Sequence, residues 1–407
     1  MKISDNSTDT SFLLQNLMEN MTDNIYFKDT ESRLIMVNKA YCKWTGLTAA
    51  EVIGKTDFDL FASAHAQQAF DDEQRIIATG EPIIGVEEKE TWENGCITWV
   101  SSTKMPLKDS EGKIIGTFGI SRDITDHKEA EFRASYYAEQ IQRIKEEMEE
   151  DVRMAAELQK TFFPRSYPVF PSGALPEDRY VDFFHHYNAS GVVSGDFCTI
   201  IPLSPSQVGI FLCDVMGHGV RAALVTALIC ALVEETSMVE KDPGSFLAHM
   251  NTLLIPILHQ EDMFLYATAC YMTYDTISGQ LRYANAGHPV PLHIRGSEHQ
   301  AEWLMEDTSQ RGPALAITED IEFQTFEKQI QSGDTVLMYT DGLYEVLGEG
   351  DEEFGERRLL DAASQFCGQG LPSLVSSLIA DARNFAEDGE FDDDICMVGF
   401  TCRSLAS

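Results

Sequence analysis

The sequence predicts an α+β protein of three segments: a small antiparallel sheet with helices, a long helix, and a larger β-rich segment flanked by helices. Three observations lead there. Up to about residue 126, short apolar runs alternate with polar turns. Residues 127–163 hold no Gly or Pro and many good helix formers. After residue 164, four apolar runs end in aspartate, usually beside glycine.

Composition bounds the function. A chain of 407 residues has room for two or three domains, and 43% hydrophobic with 24% charged residues is ordinary globular composition. The net charge of -36 argues against nucleic acid and anionic membrane as partners, since phosphates and acidic lipids would repel it. It favours solubility, and clustered carboxylates attract divalent cations. The nine cysteines include no CxxC pair, which argues against a zinc site. Several lie inside apolar runs, where a thiol behaves as a small core residue, as suits a reducing cytoplasm. The start, "MKISDNSTDTSFLLQNL", lacks a basic region followed by a continuous apolar stretch, so no signal peptide is expected. No uncharged apolar run reaches the ~20 residues of a spanning helix. The expectation is a cytoplasmic protein.

In the first segment, "NIYFKDTESRLIMVNKAYCKWTG" reads as strand, turn, strand and short helix, and "ITWVSSTKMPLKDSEGKIIGTFGISRDIT" as two strands around "KDSEGK". In the second, apolar or small residues fall at Ala130, Ala134, Tyr137, Ile141, Ile144, Met148, Val152, Ala155, Leu158 and Phe162. Their spacing of three and four is a near-heptad with one stutter after Met148. Such a stripe packs on its own domain or pairs in a parallel dimeric coiled coil, and the dimer is the expectation. Pro164 should end the helix. The third segment opens on a proline-rich loop, then strands, helices near 220–236, 243–260 and 355–388, and a last strand "ICMVGF".

The four aspartate-ended runs are "GVVSGDF" (Asp196), "GIFLCDVMGHG" (Asp214), "DTVLMYTDGLYE" (Asp341) and "GEFDDDICMVGF" (Asp392, Asp393, Asp394). One Asp beside Gly is ordinarily a turn. Four of them abutting buried strands are more than turns. Carboxylates gathered at a core repel one another unless a cation sits among them. Hard oxygen donors suit Mg²⁺ or Mn²⁺. Two such ions sharing a carboxylate can generate a hydroxide nucleophile and clamp a phosphoryl group.

The ordered series "SGDF", "DVMGHGVRAAL", "YANAGHPVPL", "MYTDGLYE" and "DDDICMV" resembles the successive motifs of metal-dependent PPM (type 2C) serine/threonine phosphatases, in the bacterial SpoIIE/RsbU-like branch. The resemblance covers nearly all of 165–403 and implies a β-sandwich flanked by helices. It implies that Asp214 bridges two Mn²⁺ or Mg²⁺ ions, that the Val215 carbonyl binds one, and that Asp196, Asp341 and Asp393 complete the second ion's ligands. Asp394 takes the neighbouring place and Cys396 replaces the family's Thr. Three Asp run together there, so the register is open by one residue. "SGDFCTI" departs from the commoner "GGDFYD" but keeps its Asp. Gly217 and Gly219 would let the chain turn after Asp214. His218 is either general acid for the leaving oxygen or a hydrogen-bonding loop residue. Asn285 and His288 of "NAGHP" read as a hairpin corner. No motif places an arginine on the phosphate. "AAELQKTFFP" resembles the element through which a regulatory helix enters this domain.

Residues 16–126 resemble a PAS sensor domain, a five-stranded antiparallel sheet with helices around a small-molecule pocket, whose "DIT" exit leads into a coiled coil. The cysteines lack the flavin-binding pattern, and His65 reads as a solvent-facing residue rather than a haem ligand, so the ligand is unknown. The expected domains are 1–126 (PAS), 127–163 (helical coiled-coil linker) and 164–407 (phosphatase). The resemblance implies a PAS-controlled phosphatase, a parallel homodimer, acting on phosphoserine or phosphothreonine of a STAS-type anti-sigma-factor antagonist. The competing reading is a PAS-dimer scaffold whose phosphatase-like domain has lost catalysis.

Overall fold

A computed structural model describes residues 10–92, 94–260, 263–305 and 311–403. The first nine residues, part of the stretch read above for a signal peptide, lie outside them. The chain divides into two compact units, Met1–Ile144 and Lys145–Ser407, so the division falls within the long helix.

The first unit runs α1 (Thr10–Asn20), β1 (Asn24–Asp29), β2 (Leu34–Val37), α2 (Lys39–Thr45), α3 (Ala49–Val52), α4 (Ser63–Thr79), β3 (Ile83–Thr91), β4 (Ile97–Lys108) and β5 (Ile114–Asp123). The strands form one antiparallel sheet of order β2-β1-β5-β4-β3. Asn38 caps α2 by accepting from the Tyr41 amide, and its amide group donates to the Asp23 carbonyl, fixing the strand-to-helix corner. A small core of Leu34, Tyr41, Val52, Leu60 and Phe61 is completed by Trp44 and Trp92. His65 differs from expectation. Its side chain is only 11% exposed, because its ring packs edge-on against Phe61 at 5.0 Å.

Helix α5 (Thr125–Gln159) spans most of the expected linker. It ends five residues before Pro164. Phe163 is buried between the sheets of the second unit, while Phe162 packs into a different core beneath its helices. Seating two adjacent rings in two cores turns the chain off the helical path. Tyr137, Ile141, Ile144 and Met148 of the heptad stripe are all exposed.

The second unit follows with β6 (Val181–Asn188), β7 (Asp196–Pro202), β8 (Gln207–Val215), α6 (Val220–Val239), α7 (Pro243–Leu258), β9 (His259–Gln260), β10 (Met263–Phe264), β11 (Ala267–Asp275) and β12 (Gln280–Ala286). Then come β13 (Leu292–Arg295), β14 (Gln300–Trp303), β15 (Phe326–Gln329), β16 (Thr335–Tyr339), α8 (Gly355–Phe366), α9 (Leu371–Phe385) and β17 (Ile395–Cys402). Two five-stranded antiparallel sheets result, β15-β12-β11-β8-β7 and β14-β13-β16-β17-β6. Their facing sides share one apolar core. Helices α6 and α7 cover the first sheet and α8 and α9 the second. Strand β8 is therefore buried on both faces, which explains why "VGIFLC" is continuously apolar instead of alternating.

The single helix expected over 355–388 is two, because Gly368 and Gly370 interrupt it and Pro372 starts the next at a position where its missing N–H costs nothing. Among the described residues α6 is the one helix long and apolar enough to cross a membrane. It carries Arg221, Glu234 and Glu235, and Ala222, Val225, Ile229 and Val233 are buried in the core.

Candidate functional site

Strand register brings the first two acids together. Asp196 and Asp214 are direct cross-strand partners on β7 and β8. On the other side of β8, Asp214 pairs with Thr268 of β11. The other acids come from the second sheet. Tyr339 of β16 pairs with Met397 of β17, so Asp341, just past one strand, lies beside Asp393 and Asp394, just before the other. Gly342 permits that approach, since a Cβ there would lie 2.2 Å from the Asp394 carbonyl oxygen.

Thr340 ties the two sheets at this point. Its hydroxyl donates to Asp196 Oδ2 at 2.8 Å and accepts from the Cys396 amide at 2.9 Å. Asp394 is used differently from Asp393. Its Oδ1 accepts from the Ser190 amide at 2.8 Å and hydroxyl at 3.1 Å, and its Oδ2 from the Gly195 amide at 3.0 Å. It therefore clamps the loop that delivers Asp196, while the Asp393 charge acts on Asp341, and Asp393 and Asp394 both act on Asp214.

The electrostatics follow from this crowding. Burial, then the Asp214 charge, drives the Asp196 carboxyl well above its ordinary value. Burial, then Asp341, Asp393 and Asp394, pushes Asp214 up to about 7. Asp341 is raised by burial and by Asp393. Asp393 is raised chiefly by burial, and His218 beside it pulls the other way. Among the described residues none of the five carboxylates pairs with Lys or Arg, and no three His, Cys, Asp or Glu side chains close into a ligand ring. The donor chemistry of carboxylate and carbonyl oxygens fits Mg²⁺ or Mn²⁺, and a divalent cation would relieve the repulsion.

Val215 ends its strand with its amide donating to the Gly195 carbonyl at 3.3 Å. A Cβ on Gly195 would come 2.6 Å from the Val215 carbonyl oxygen, so glycine keeps that oxygen clear. Gly217 and Gly219 have φ of 85° and 84° with open space around them. Their need is conformational, a left-handed backbone, and not close approach. His218 is exposed. Asn285 and His288 do form a corner: the Asn285 amide group donates to the His288 carbonyl at 3.0 Å and its oxygen accepts the His288 amide at 2.9 Å. His288 Nδ1 lies 2.8 Å from the Thr268 hydroxyl, and burial pushes this imidazole down to about 3, so it stays neutral.

Sequence reasoning missed Gln159. This residue, at the end of α5, is 3% exposed. Its Nε2 donates to the Ser194 carbonyl at 2.6 Å and its Oε1 accepts the Ser194 amide at 3.0 Å. Ser194 in turn accepts from the Asp196 amide at 2.9 Å through its hydroxyl. A buried glutamine on a polar helix gives no periodic signal. Its neighbours in "ELQKTFFP" were the available hint.

The second unit is a helix-covered antiparallel sandwich with an acid cluster where its two sheets meet, and comparison with known proteins gives it a family. Residues 204–403 match the family model of stage II sporulation protein E (SpoIIE), and residues 18–129 match that of the PAS fold. The chain thus joins a PAS domain to a SpoIIE-type PP2C phosphatase domain. It is similar to the phosphoserine phosphatase RsbP of Bacillus subtilis, 31% identical over 161 residues that cover 39% of this chain and 38% of that protein. Phosphoserine phosphatase RsbU of the same species is 22% identical over 205 residues, 50% of this chain and 56% of RsbU. The chain therefore spans about two fifths to just over half of the length of these relatives. Among solved structures, the SiaA-PP2C domain of Pseudomonas aeruginosa matches 63% of this chain and 98% of that one, at 21% identity and a TM-score of 0.52. The RsbU and RsbW domains of Rv1364c from Mycobacterium tuberculosis match 60% of this chain and 64% of that one, at 22% identity and a TM-score of 0.50. These two show the fold.

Proposed function

We propose that the protein is a metal-dependent serine/threonine protein phosphatase controlled by its PAS domain. The observation that carries this reading is the convergence of five carboxylates from two sheets on one another, with no Lys or Arg paired to them among the described residues. Asp214, Asp196, Asp341 and Asp393, with the Val215 carbonyl, would hold two Mn²⁺ or Mg²⁺ ions, and Asp394 would keep the Asp196 loop in place. When bound, the ions supply activation of the attacking water and charge neutralisation at the phosphoryl oxygens. His218, exposed beside Asp393, would give a proton to the leaving serine or threonine oxygen.

The substrate in this reading is a phosphoserine or phosphothreonine on a protein partner. RsbP and RsbU are both named phosphoserine phosphatases, which supports that class. A STAS-type anti-sigma-factor antagonist is the specific partner we propose. Residues 1–126, 127–163 and 164–407 serve as sensor, linker and phosphatase, in the cytoplasm, with the exposed stripe of α5 pairing two copies in parallel. A change in α5 would reach the site through Gln159, Ser194 and Asp196.

Hydrolysis of p-nitrophenyl phosphate by the purified full chain tests the chemistry. Activity that needs Mn²⁺ and vanishes in Asp214→Ala and Asp341→Ala is expected. Silence in the wild type toward both this ester and a phosphorylated STAS protein would favour the scaffold reading.

A further inference from the structure

Between its sheet and helices the first unit holds a half-open pocket of about 30 Å³, room for about two water molecules. Its wall carries an unusual number of buried charges. Two lysines, Lys28 and Lys104, line it, and both are already taken. Lys28 Nζ lies 2.6 Å from Asp57 and 2.6 Å from Glu73. Lys104 Nζ lies 3.0 Å from Glu88.

Glu90 is the carboxyl on this wall that no cation meets among the described residues. It is 4% exposed. Its Oε2 accepts the Thr98 hydroxyl at 2.9 Å, and Oε1 has only His65 Nε2, 4.0 Å away. Burial holds His65 below its ordinary value, so it supplies no charge there. Burial also pushes the Glu90 carboxyl up to about 8; the Thr98 hydroxyl opposes this, and Glu88, Asp57 and Asp123 add to it. The same wall is aromatic: Trp44 and Phe61 stand 5.7 Å apart, and the buried Trp44 indole N–H has no hydrogen-bond partner among the described residues.

We infer that this cavity takes a small organic cation, an amine whose ammonium group meets Glu90 and whose carbon skeleton lies against Trp44 and Phe61. This rests on the reading of the first unit as the sensor. An anion would face Asp57, Glu88 and Glu90 with both lysines engaged. A purely apolar molecule would leave Glu90 and the Trp44 N–H unsatisfied, at a desolvation cost. An ammonium gains a carboxylate partner and the faces of aromatic rings together. An acceptor on the same molecule would serve the Trp44 N–H.

The test uses isosteres that differ only in charge, on the full chain, read by tryptophan fluorescence and by thermal unfolding. The sets are methylamine, methanol and formate, and ethanolamine, ethylene glycol and glycolate, all small enough for a pocket of this size. At least one amine should bind, with its alcohol and acid counterparts weaker by about tenfold or more. Glu90→Gln keeps the shape and the Thr98 contact and should weaken the amine by a similar factor. Equal binding of an alcohol, preference for an acid, unchanged affinity in Glu90→Gln, or no amine saturating by about 10 mM would each overturn the inference. The comparison among wild-type isosteres stands even if the variant fails to fold. No readout depends on hydrolysis, so this inference and the phosphatase reading fail separately.

Discussion

Gly342 offers the sharpest test of how the acid cluster is held. It sits between Asp341 and the first residues of β17, and a methyl group there would lie 2.2 Å from the Asp394 carbonyl oxygen and 3.2 Å from the Asp393 carbonyl carbon. Those are backbone atoms and cannot rotate away. Gly342→Ala must therefore move Asp341 and Asp393 apart by about 1 Å to reach ordinary van der Waals contact. A displacement of ~1 Å at reacting groups costs on the order of 10²-fold in rate. Overpacking of this kind costs ~1–3 kcal/mol, which lowers the unfolding temperature of a unit this size by roughly 2–12 °C. The assay is Mn²⁺-dependent hydrolysis of p-nitrophenyl phosphate beside thermal unfolding, with Gly370→Ala as control. Gly370 has φ of -66°, and a methyl group there would meet nothing within 4 Å, so its variant should keep wild-type activity and lose at most the ~1 kcal/mol that alanine costs at a helix N-cap. A Gly342→Ala enzyme within twofold of wild type and equally stable would refute this account of the "TDG" motif.

Three further outcomes follow from the same geometry. Asp214→Asn should stabilise the metal-free protein: a carboxyl raised to about 7 weakens the fold as pH climbs from the ordinary carboxylate range toward neutrality. Differential unfolding in EDTA should show a gain of up to ~4 kcal/mol at pH 7.5 that vanishes near pH 4; a loss of stability at pH 7.5 would contradict it. Lys28→Met strands Asp57 and Glu73 in the sensor interior and should destabilise that unit by ~3–5 kcal/mol, seen as an earlier transition in calorimetry. Ile141→Glu with Ile144→Glu should convert a dimer to a monomer in sedimentation velocity without changing the fold, and a monomeric wild type would remove the coiled-coil proposal.

Much of the architecture was legible in residue order because it depends on local periodicity. Strand β8, helix α6 and the turn between them follow from "VGIFLCDVMGHGVRAAL", where an apolar run, two left-handed glycines and a second apolar run leave little choice. The heptad stripe marked α5 as one helix for the same reason. Where local signals competed with burial, reading by pattern failed. Helix α5 stops at Gln159 because Phe162 and Phe163 enter separate cores. The expected final helix breaks at Gly368 to Gly370. His65 turns inward onto Phe61.

The sequence by itself determined which acids stand at strand ends, because each lies where a buried apolar run starts or stops. It could not say which acids meet, since Asp196 and Asp394 are separated by nearly the whole second unit. Only the pairing of β7 with β8 and of β16 with β17 put Asp196 against Asp214 and Asp341 against Asp393. The same long-range closure assigned Asp394 to the Ser190–Gly195 loop, Thr340 to the seam between sheets and Gln159 to the Ser194 backbone. Among the described residues it also left Glu90 without a cation. Each of those roles depends on a partner far away in the chain, and hydrogen bonds across such distances leave no period in the sequence.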